Sequence, residues 1–250
     1  MSPLNAEVSG IALDFWARSG SKAPFPRPLE PAVFVVLPIA VIRLPRLRLW
    51  TAVEWLNKRG IAHRSGDAAD RSLHGYLIAR SGVGVVFLDG TDPLDEQLFS
   101  LAHEVAHFLY DYLRPRTVAI RALGSGIKEV LDGLRSPTAG ERLAGVLRGV
   151  PLGVYAHLGR RSSHGHIDHP DVLHIEDKAD QLALELLAPL AGVLASVRNR
   201  LPVQDAYSQD IVVSLLRERY GLPQGIAQIY ARTVITAAQS GRSFREWLGV

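Results

Sequence analysis

The chain has 250 residues, of which 47% are hydrophobic and 21% are charged, and its formal net charge is +3. This is the profile of a globular protein, and the scattered, mostly arginine positive charge lacks the clustering that a nucleic-acid-binding face requires. The absence of cysteine excludes disulfides, thiolate zinc sites and cysteine nucleophiles, so any metal must bind histidine and carboxylate.

The N-terminal part of the chain predicts a helix and buried structure, with no targeting or membrane segment. The first stretch, MSPLNAEVSGIALDF, lacks the basic start and apolar core of a signal peptide, and residues 5–18 can form a short helix. The apolar run AVFVVLPIAVI at 32–42 is too short to span a bilayer and contains Pro38. We therefore expect a soluble, cytoplasmic protein without membrane contact.

A helix and a pair of strands are predicted next. Residues 47–56 carry apolar side chains at the spacing of an amphipathic helix, and Gly60 is a stop signal. Two apolar runs, YLIAR at 76–80 and VGVVFLDG at 83–90, flank Ser81-Gly82. This pattern predicts a β-hairpin or two adjacent strands.

A long helix is predicted after the strands. Asp92 is a candidate N-cap, Pro93 suits the first helical position, and Asp95 has capping-box spacing from Asp92. Apolar residues then recur at helical spacing, namely Leu98, Leu101, Ala102, Val105, Phe108 and Leu109. The stretch SLAHEVAHFLYD at 100–111 therefore lies inside a helix.

The rest of the chain is predicted to be mostly helical. A segment at about 114–170 contains helices broken by glycine and proline and ends in a polar, histidine-rich loop. One helix is predicted from about 171 to 201, and two more flank Gly221-Leu222-Pro223. The expected fold is α+β, mostly helical, with a small sheet beside the helix of SLAHEVAHFLYD. We predict a catalytic domain at 1–195, with 114–170 as an insertion, and a helical region at 196–250.

The sequence His103-Glu104-x-x-His107 predicts a metal site on this helix. Positions i and i+4 share one helix face, so both imidazoles can bind one ion, and Glu104 can reach a water molecule bound there. Zinc accepts imidazole and carboxylate ligands and lowers the pKa of bound water to about 7. Glu104 would then be the general base of a zinc peptidase. The simpler alternative is a chance pattern of hydrogen-bonded histidines.

The third ligand is not part of this motif. A continuation HExxHxxGxxH would need glycine and histidine where the chain has Tyr110 and Leu113, which excludes the metzincin class. Glu176 and Asp180 are separated by one turn of a later helix, so one can bind metal while the other accepts the second N–H of a ligand histidine. The remaining candidates are Glu185, His157, His164, His166, His169 and His174. For His164, His166 and His169 we favour a solvated loop.

With these two motifs, QLFSLAHEVAHFL at 97–109 and EDKADQLALELLAP at 176–189, the chain resembles the ImmA/IrrE family of metallopeptidases. The resemblance implies a zincin-like minimal core, His103, His107 and Glu176 as zinc ligands, and Glu104 as general base. Asp180 stands where the family often has asparagine, which implies a supporting role next to the ligands. The departures are Ala106, Ala188 and the long segment between the two motifs.

The resemblance also implies a function. The expected activity is zinc-dependent endopeptidase cleavage of a protein substrate, a helix-turn-helix repressor, which relieves transcriptional repression in a stress response. The alternative is a non-catalytic regulatory or DNA-binding protein, because LLRERYGLPQGIAQIYART at 215–233 loosely resembles a helix-turn-helix. Direct nucleic-acid binding is the weaker interpretation, since Arg232 is the only basic residue of the second helix in this stretch.

Overall fold

The computed structural model describes residues 3–21, 24–61, 70–143, 147, 149–158, 170–200 and 208–248. Backbone contacts divide the chain into two compact units. We call residues 30–183 the sheet unit, and residues 1–29 with 184–250 the helical unit. The predicted division into 1–195 and 196–250 stays a prediction.

The mostly helical α+β fold predicted from the sequence is confirmed. The described elements are, in chain order, α1 (Pro3–Ser19), α2 (Leu29–Val36), β1 (Ile39–Leu44), α3 (Leu49–Asn57), β2 (Gly75–Arg80), β3 (Val83–Asp89), α4 (Leu94–His107), α5 (Arg114–Leu123), α6 (Lys128–Leu131), α7 (Ala139–Leu143), β4 (Tyr155–Leu158), α8 (Pro170–Leu187), α9 (Leu190–Arg200), α10 (Gln209–Tyr220) and α11 (Gln224–Leu248). Among these described elements no single helix is both long and apolar enough to cross a membrane, and one bent pair, α8 with α9, passes the same test on length and composition alone.

The sheet unit contains a mixed sheet in the order β1-β3-β2-β4. β1 is parallel to β3, whereas β2 is antiparallel to both β3 and β4. The predicted hairpin is confirmed as β2–β3. Ser81 and Gly82 have φ angles of 54° and 85°, as the tight turn of a two-residue hairpin requires.

Helices cover both faces of the sheet. Side chains alternate along a strand, so Tyr76 and Ile78 of β2 lie on the same face as Phe87 of β3, and they form one hydrophobic cluster with residues of α3. Gly84 of β3 lies on the opposite face, where a Cβ would come 3.0 Å from the ring of Phe108. The helix that carries the histidine motif packs on this face, against β2 and β3. The site is therefore supported by strands that are buried on both sides.

The apolar run at 32–42, expected to be buried, forms the end of α2 and the start of β1 on either side of Pro38, and Phe34 and Val35 within it are exposed. The predicted start of the next long helix also requires correction. Asp92 does not cap α4, whose N-cap is Pro93. The carboxylate of Asp92 lies 2.7 Å from Nδ1 of His74, so it is used outside the helix.

The chain continues as a helix beyond the motif. Residues Phe108–Leu113 form a π-helical turn directly after His107, and α5 follows without a break. Turns of this kind often occur at functional sites. The described part of the predicted insertion at 114–170 contains α5, a 3-10 turn at Ser125–Ile127, α6 and α7, and also β4, a strand that the sequence did not predict. His164, His166 and His169 lie outside the described residues.

The helical unit is held together by buried hydrogen bonds between distant parts of the chain. Nε1 of Trp16 donates to the carbonyl of Leu186 over 3.0 Å, and the hydroxyl of Tyr230 donates to the carbonyl of Ala188 over 3.0 Å. The single helix predicted over 171–201 is wrong, because it breaks before Pro189 into α8 and α9. The predicted helices around residues 221–223 are confirmed as α10 and α11.

Candidate active site

The two histidines of the motif point into one buried site. His103 and His107 lie one turn apart on α4, and their Nε2 atoms are 3.0 Å apart. The side chain of His107 is fully buried and that of His103 is 6% exposed. Two buried imidazoles whose Nε2 atoms face each other at this distance can share one metal ion.

A carboxylate binds the other nitrogen of each ring. Nδ1 of His103 lies 2.8 Å from Oδ1 of Asp180, and Nδ1 of His107 lies 2.6 Å from Oδ2 of Asp111. A ring that keeps a proton on Nδ1 for its carboxylate partner can offer Nε2 to a metal ion, which is the arrangement that metal-bound histidines need. Sequence reasoning identified Asp180 but missed Asp111, although it lies four residues after His107 on the same helical face.

Glu176 reaches the same point from α8. Its Oε2 lies 3.3 Å from Nε2 of His103 and 3.9 Å from Nε2 of His107. The small side chains of Ala179 and Ala183 are buried, as expected for a helix that packs closely. Three donor atoms, two nitrogens and one oxygen, therefore converge at distances that suit a single ion with bonds of about 2.0–2.2 Å.

His157 on β4 connects Glu176 with Glu104. Its Nε2 lies 3.0 Å from Oε1 of Glu176, and its Nδ1 lies 3.2 Å from Oε2 of Glu104. One imidazole thus contacts both carboxylates of the site, from the strand at the end of the sheet. From the sequence, His157 was one of several candidates for the third metal ligand, because no pattern around it predicted β4.

His157 belongs to the set of four side chains whose donor atoms lie within 4.8 Å of one another, with His103, His107 and Glu176. Its ring, however, stacks on that of His107, with 3.4 Å between the ring centroids and 24° between the planes. An imidazole binds metal in its own ring plane, so two stacked rings do not both suit one ion. Among the described residues, His103, His107 and Glu176 would therefore hold a metal ion, and His157 lies beside them.

The backbone of β2 fixes the position of Glu104. This side chain is 1% exposed, and a Cβ added at Gly75 would lie 2.8 Å from its Oε1 and 3.0 Å from its Cγ. Any residue larger than glycine at position 75 would displace the carboxylate. This is a second feature that the sequence did not reveal, because a glycine at the start of a strand carries no signal of what it contacts.

The charges of the site stabilise one another. Burial lowers the pKa of His103, but hydrogen bonds to Asp180 and Glu176 outweigh it and raise that pKa to about 9. Burial also lowers the pKa of His157, but the carboxylates of Glu104 and Glu176 outweigh this effect and raise that pKa to about 9. For Glu104, burial raises the pKa, but the neighbouring histidines, above all His157, outweigh it and leave that pKa below its usual value. Glu104 is thus ionised at neutral pH and can accept a proton.

The structure brings together all five residues singled out from the sequence: His103, Glu104, His107, Glu176 and Asp180. Glu185, an alternative third ligand, is used elsewhere, because its carboxylate accepts hydrogen bonds from the hydroxyl of Ser9 and the N–H of Leu190. The side chain of His174, like the loop histidines, lies outside the described residues.

One comparison with known proteins adds to this geometry. The Peptidase M78 family model, described as an IrrE N-terminal-like domain, matches residues 57–124. The matched stretch contains the whole HExxH motif, and it agrees with the resemblance to the ImmA/IrrE family. No curated protein and no solved structure matches the chain. The family match together with the His/His/Glu cluster indicates a metallopeptidase with a metal-binding group.

Proposed function

We propose that this protein is a zinc-dependent endopeptidase. The observation that carries the proposal is the convergence of Nε2 of His103, Nε2 of His107 and Oε2 of Glu176, beside a buried and ionised Glu104. A purely structural zinc site has four protein ligands and no use for such a glutamate. Two imidazoles, one carboxylate and no thiolate form a ligand set that zinc peptidases use.

His103, His107 and Glu176 would bind the ion, and Asp180 and Asp111 would orient the two imidazoles. When bound, zinc acts as a Lewis acid that polarises a peptide carbonyl and makes water a better nucleophile. Partner carboxylates of this kind typically contribute 10- to 100-fold to metal affinity or activity. The low exposure of His103 and His107 strengthens the electrostatic interactions inside the site.

Glu104 is the proposed general base. Its carboxylate accepts a proton from the attacking water and passes it to the amine of the departing peptide. Two contacts prevent it from turning away, the backbone of Gly75 on one side and Nδ1 of His157 on the other. Because the pKa of Glu104 lies below its usual value, the side chain is in the required ionised state at neutral pH.

The proposed substrate is a DNA-binding repressor of the helix-turn-helix type, cleaved in the cytoplasm during a stress response. This part of the proposal is supported by the resemblance to the ImmA/IrrE family and by the match over residues 57–124. A fold or family identifies a substrate less reliably than the geometry of the site identifies a reaction. The substrate therefore needs its own experiment.

The test uses the purified protein, loaded with zinc, and a purified helix-turn-helix repressor from the same genome. We expect the repressor to be cut at one position, and Glu104→Gln to remove cleavage while zinc content stays at one ion per chain. Glu96→Gln is the matched control, because Glu96 lies on the same helix, in its first turn. Repressor cleavage by Glu104→Gln at the wild-type rate would refute the assignment of the base. If the zinc-loaded protein cleaves other proteins but not the repressor, the repressor is refuted as the substrate.

A further inference from the structure

A cleft opens directly beside the candidate metal ligands. Its volume is about 460 Å³, and Glu176, His157 and Asp111 contribute its polar part. The rest of the lining is aromatic, aliphatic or small: Tyr110, Pro115, Gly149, Pro151, Tyr155, Ala156 and Ile175. Small-molecule and peptide pockets are typically about 300–1,000 Å³ and combine an apolar lining with a few polar groups, so this cleft has the size and composition of a binding site.

One wall of the cleft comes from the segment at 149–156, which is firmly anchored. The N–H of Gly153 donates to the carbonyl of Leu131 over 2.9 Å, and a Cβ at Gly133 would lie 2.9 Å from Cα of Gly153. Val150 packs on a buried cluster formed by α5 and the residues that follow it. These contacts tie the wall to the body of the sheet unit.

A buried ion pair further stabilises this region. Nη1 of Arg116 lies 2.7 Å from Oδ1 of Asp132, and the two side chains are 9% and 16% exposed. Arg116 belongs to α5, which also supplies Pro115 to the cleft, and Asp132 is next to Gly133. The segment that the sequence left without a function therefore forms a preorganised wall beside the metal ligands.

The acidic groups of the cleft are already used within the protein. Asp111 binds Nδ1 of His107 and accepts a hydrogen bond from the hydroxyl of Tyr155. Glu176 faces His103, His107 and His157. The described part of the lining therefore offers apolar surface to a ligand, and both of its carboxylates are already engaged within the protein.

The strand next to the cleft is suited to an extended peptide. β4 is the last strand of the sheet, paired with β2 on one side only among the described strands. Tyr155, Ala156 and His157 of this strand all line the cleft. A peptide that adds to such an edge alternates its side chains, and one of them enters the neighbouring pocket.

We propose that this cleft binds a bulky apolar side chain of the substrate, next to the scissile bond, so that the enzyme cleaves peptides beside leucine, isoleucine or phenylalanine. The inference rests on the proposed peptidase function and adds to it the chemical class of the cleavage site. Burial of such a side chain is worth about 1.5–3 kcal/mol, which corresponds to a preference of roughly 10- to 150-fold over a polar residue.

The experiment has two readouts on the zinc-loaded, full-length protein. The first is mass spectrometry of a mixture of Gly/Ser peptides that differ only in one central residue, Leu, Phe, Ser, Asp or Lys, after digestion by the wild-type protein. The second is fluorescence anisotropy of the same labelled peptides with Glu104→Gln, which does not depend on cleavage. We expect cleavage beside Leu and Phe at least tenfold faster than beside Ser or Asp, and tighter binding in the same order.

Variants locate the preference in the cleft. Pro115→Glu and Pro151→Glu place a charge in its lining, and we expect each to reduce the Leu-to-Ser ratio at least fivefold and to favour Lys. Val118→Glu is the matched control, because Val118 is on α5, 51% exposed and outside the cleft lining. Thermal denaturation identifies a variant that fails to fold. If one of the two glutamate variants fails, the result for the other tests whether the cleft sets the preference.

The outcomes separate this inference from the proposed function. Cleavage without any preference for Leu or Phe, or a preference that both glutamate variants retain, overturns the inference and leaves the peptidase function standing. Binding by Glu104→Gln that prefers Leu and is lost in the glutamate variants, with no cleavage by the wild type, supports the cleft and overturns the peptidase function. Lack of both binding and cleavage overturns both.

Discussion

Replacing Gly75 by alanine tests how the proposed general base is positioned. The new Cβ would lie 2.8 Å from Oε1 of Glu104, 3.0 Å from its Cγ and 3.3 Å from its Cδ. Nonbonded heavy atoms are comfortable at about 3.5 Å, so the carboxylate has to move by roughly half an ångström. Gly75 lies in β2, which is paired on both sides, so the side chain yields more easily than the strand.

The expected effect is on the rate and not on metal binding. A displacement of 1 Å in an active site can reduce the rate about 100-fold, so half that distance predicts a reduction of about tenfold in kcat, or about 1.4 kcal/mol in the activation free energy. Glu104 is not among the three convergent donors. Zinc affinity should therefore change less than threefold.

The assay compares kcat, KM and zinc content of the wild type, Gly75→Ala and a control glycine variant. Gly126→Ala is the control, because a Cβ at Gly126 would meet no atom within 4 Å and its φ is not in the left-handed region. An unchanged kcat for Gly75→Ala would refute the role of Gly75 in positioning the base, since the contact of Glu104 with β2 would then be irrelevant to the reaction. Equal losses in kcat and zinc content would show a general collapse of the site.

Three further predictions concern the ligands and the anchored wall. Asp180→Asn should weaken zinc binding about 10- to 100-fold, because Nδ1 of His103 loses its carboxylate partner; competition with a chelator measures this, and unchanged affinity would contradict the role. The pKa of His103 is raised to about 9, so zinc must displace a proton to bind this imidazole, and zinc affinity should rise with pH from 6.5 to 9. Titration calorimetry in buffers of different ionisation enthalpy checks this, and a flat profile would contradict it. Asp132→Ala leaves the buried charge of Arg116 without this partner and should lower the free energy of unfolding by about 3 kcal/mol; a loss below 1 kcal/mol in urea denaturation would show that the pair does not stabilise the wall.

Local patterns predicted the parts of the site that lie within one element. The i, i+4 spacing of His103 and His107 directly encodes a shared helix face, and the tight turn at Ser81-Gly82 encodes the hairpin. Glu176 and Asp180 could be identified from the sequence for the same reason, because they are four residues apart on one helix. Asp111 could have been found by extending the four-residue spacing once more from His107.

Contacts between distant parts of the chain were not predictable in this way. His157 lies on a four-residue strand that follows a glycine- and proline-rich segment, and only its pairing with β2 brings it to Glu104 and Glu176. The close approach of Gly75 to Glu104 likewise depends on how α4 packs on the sheet. The apolar run at 32–42 was ambiguous for a physical reason, since a short, wholly apolar stretch has no periodicity to separate helix from strand.

The most direct test of the central claim is to measure zinc content and peptide hydrolysis together in Glu176→Ala and Glu104→Gln. If three donors bind the ion and Glu104 is the base, Glu176→Ala loses zinc and hydrolysis together, whereas Glu104→Gln keeps one zinc per chain and loses hydrolysis at least 100-fold. Full zinc content in Glu176→Ala, or full hydrolysis in Glu104→Gln, would contradict the account.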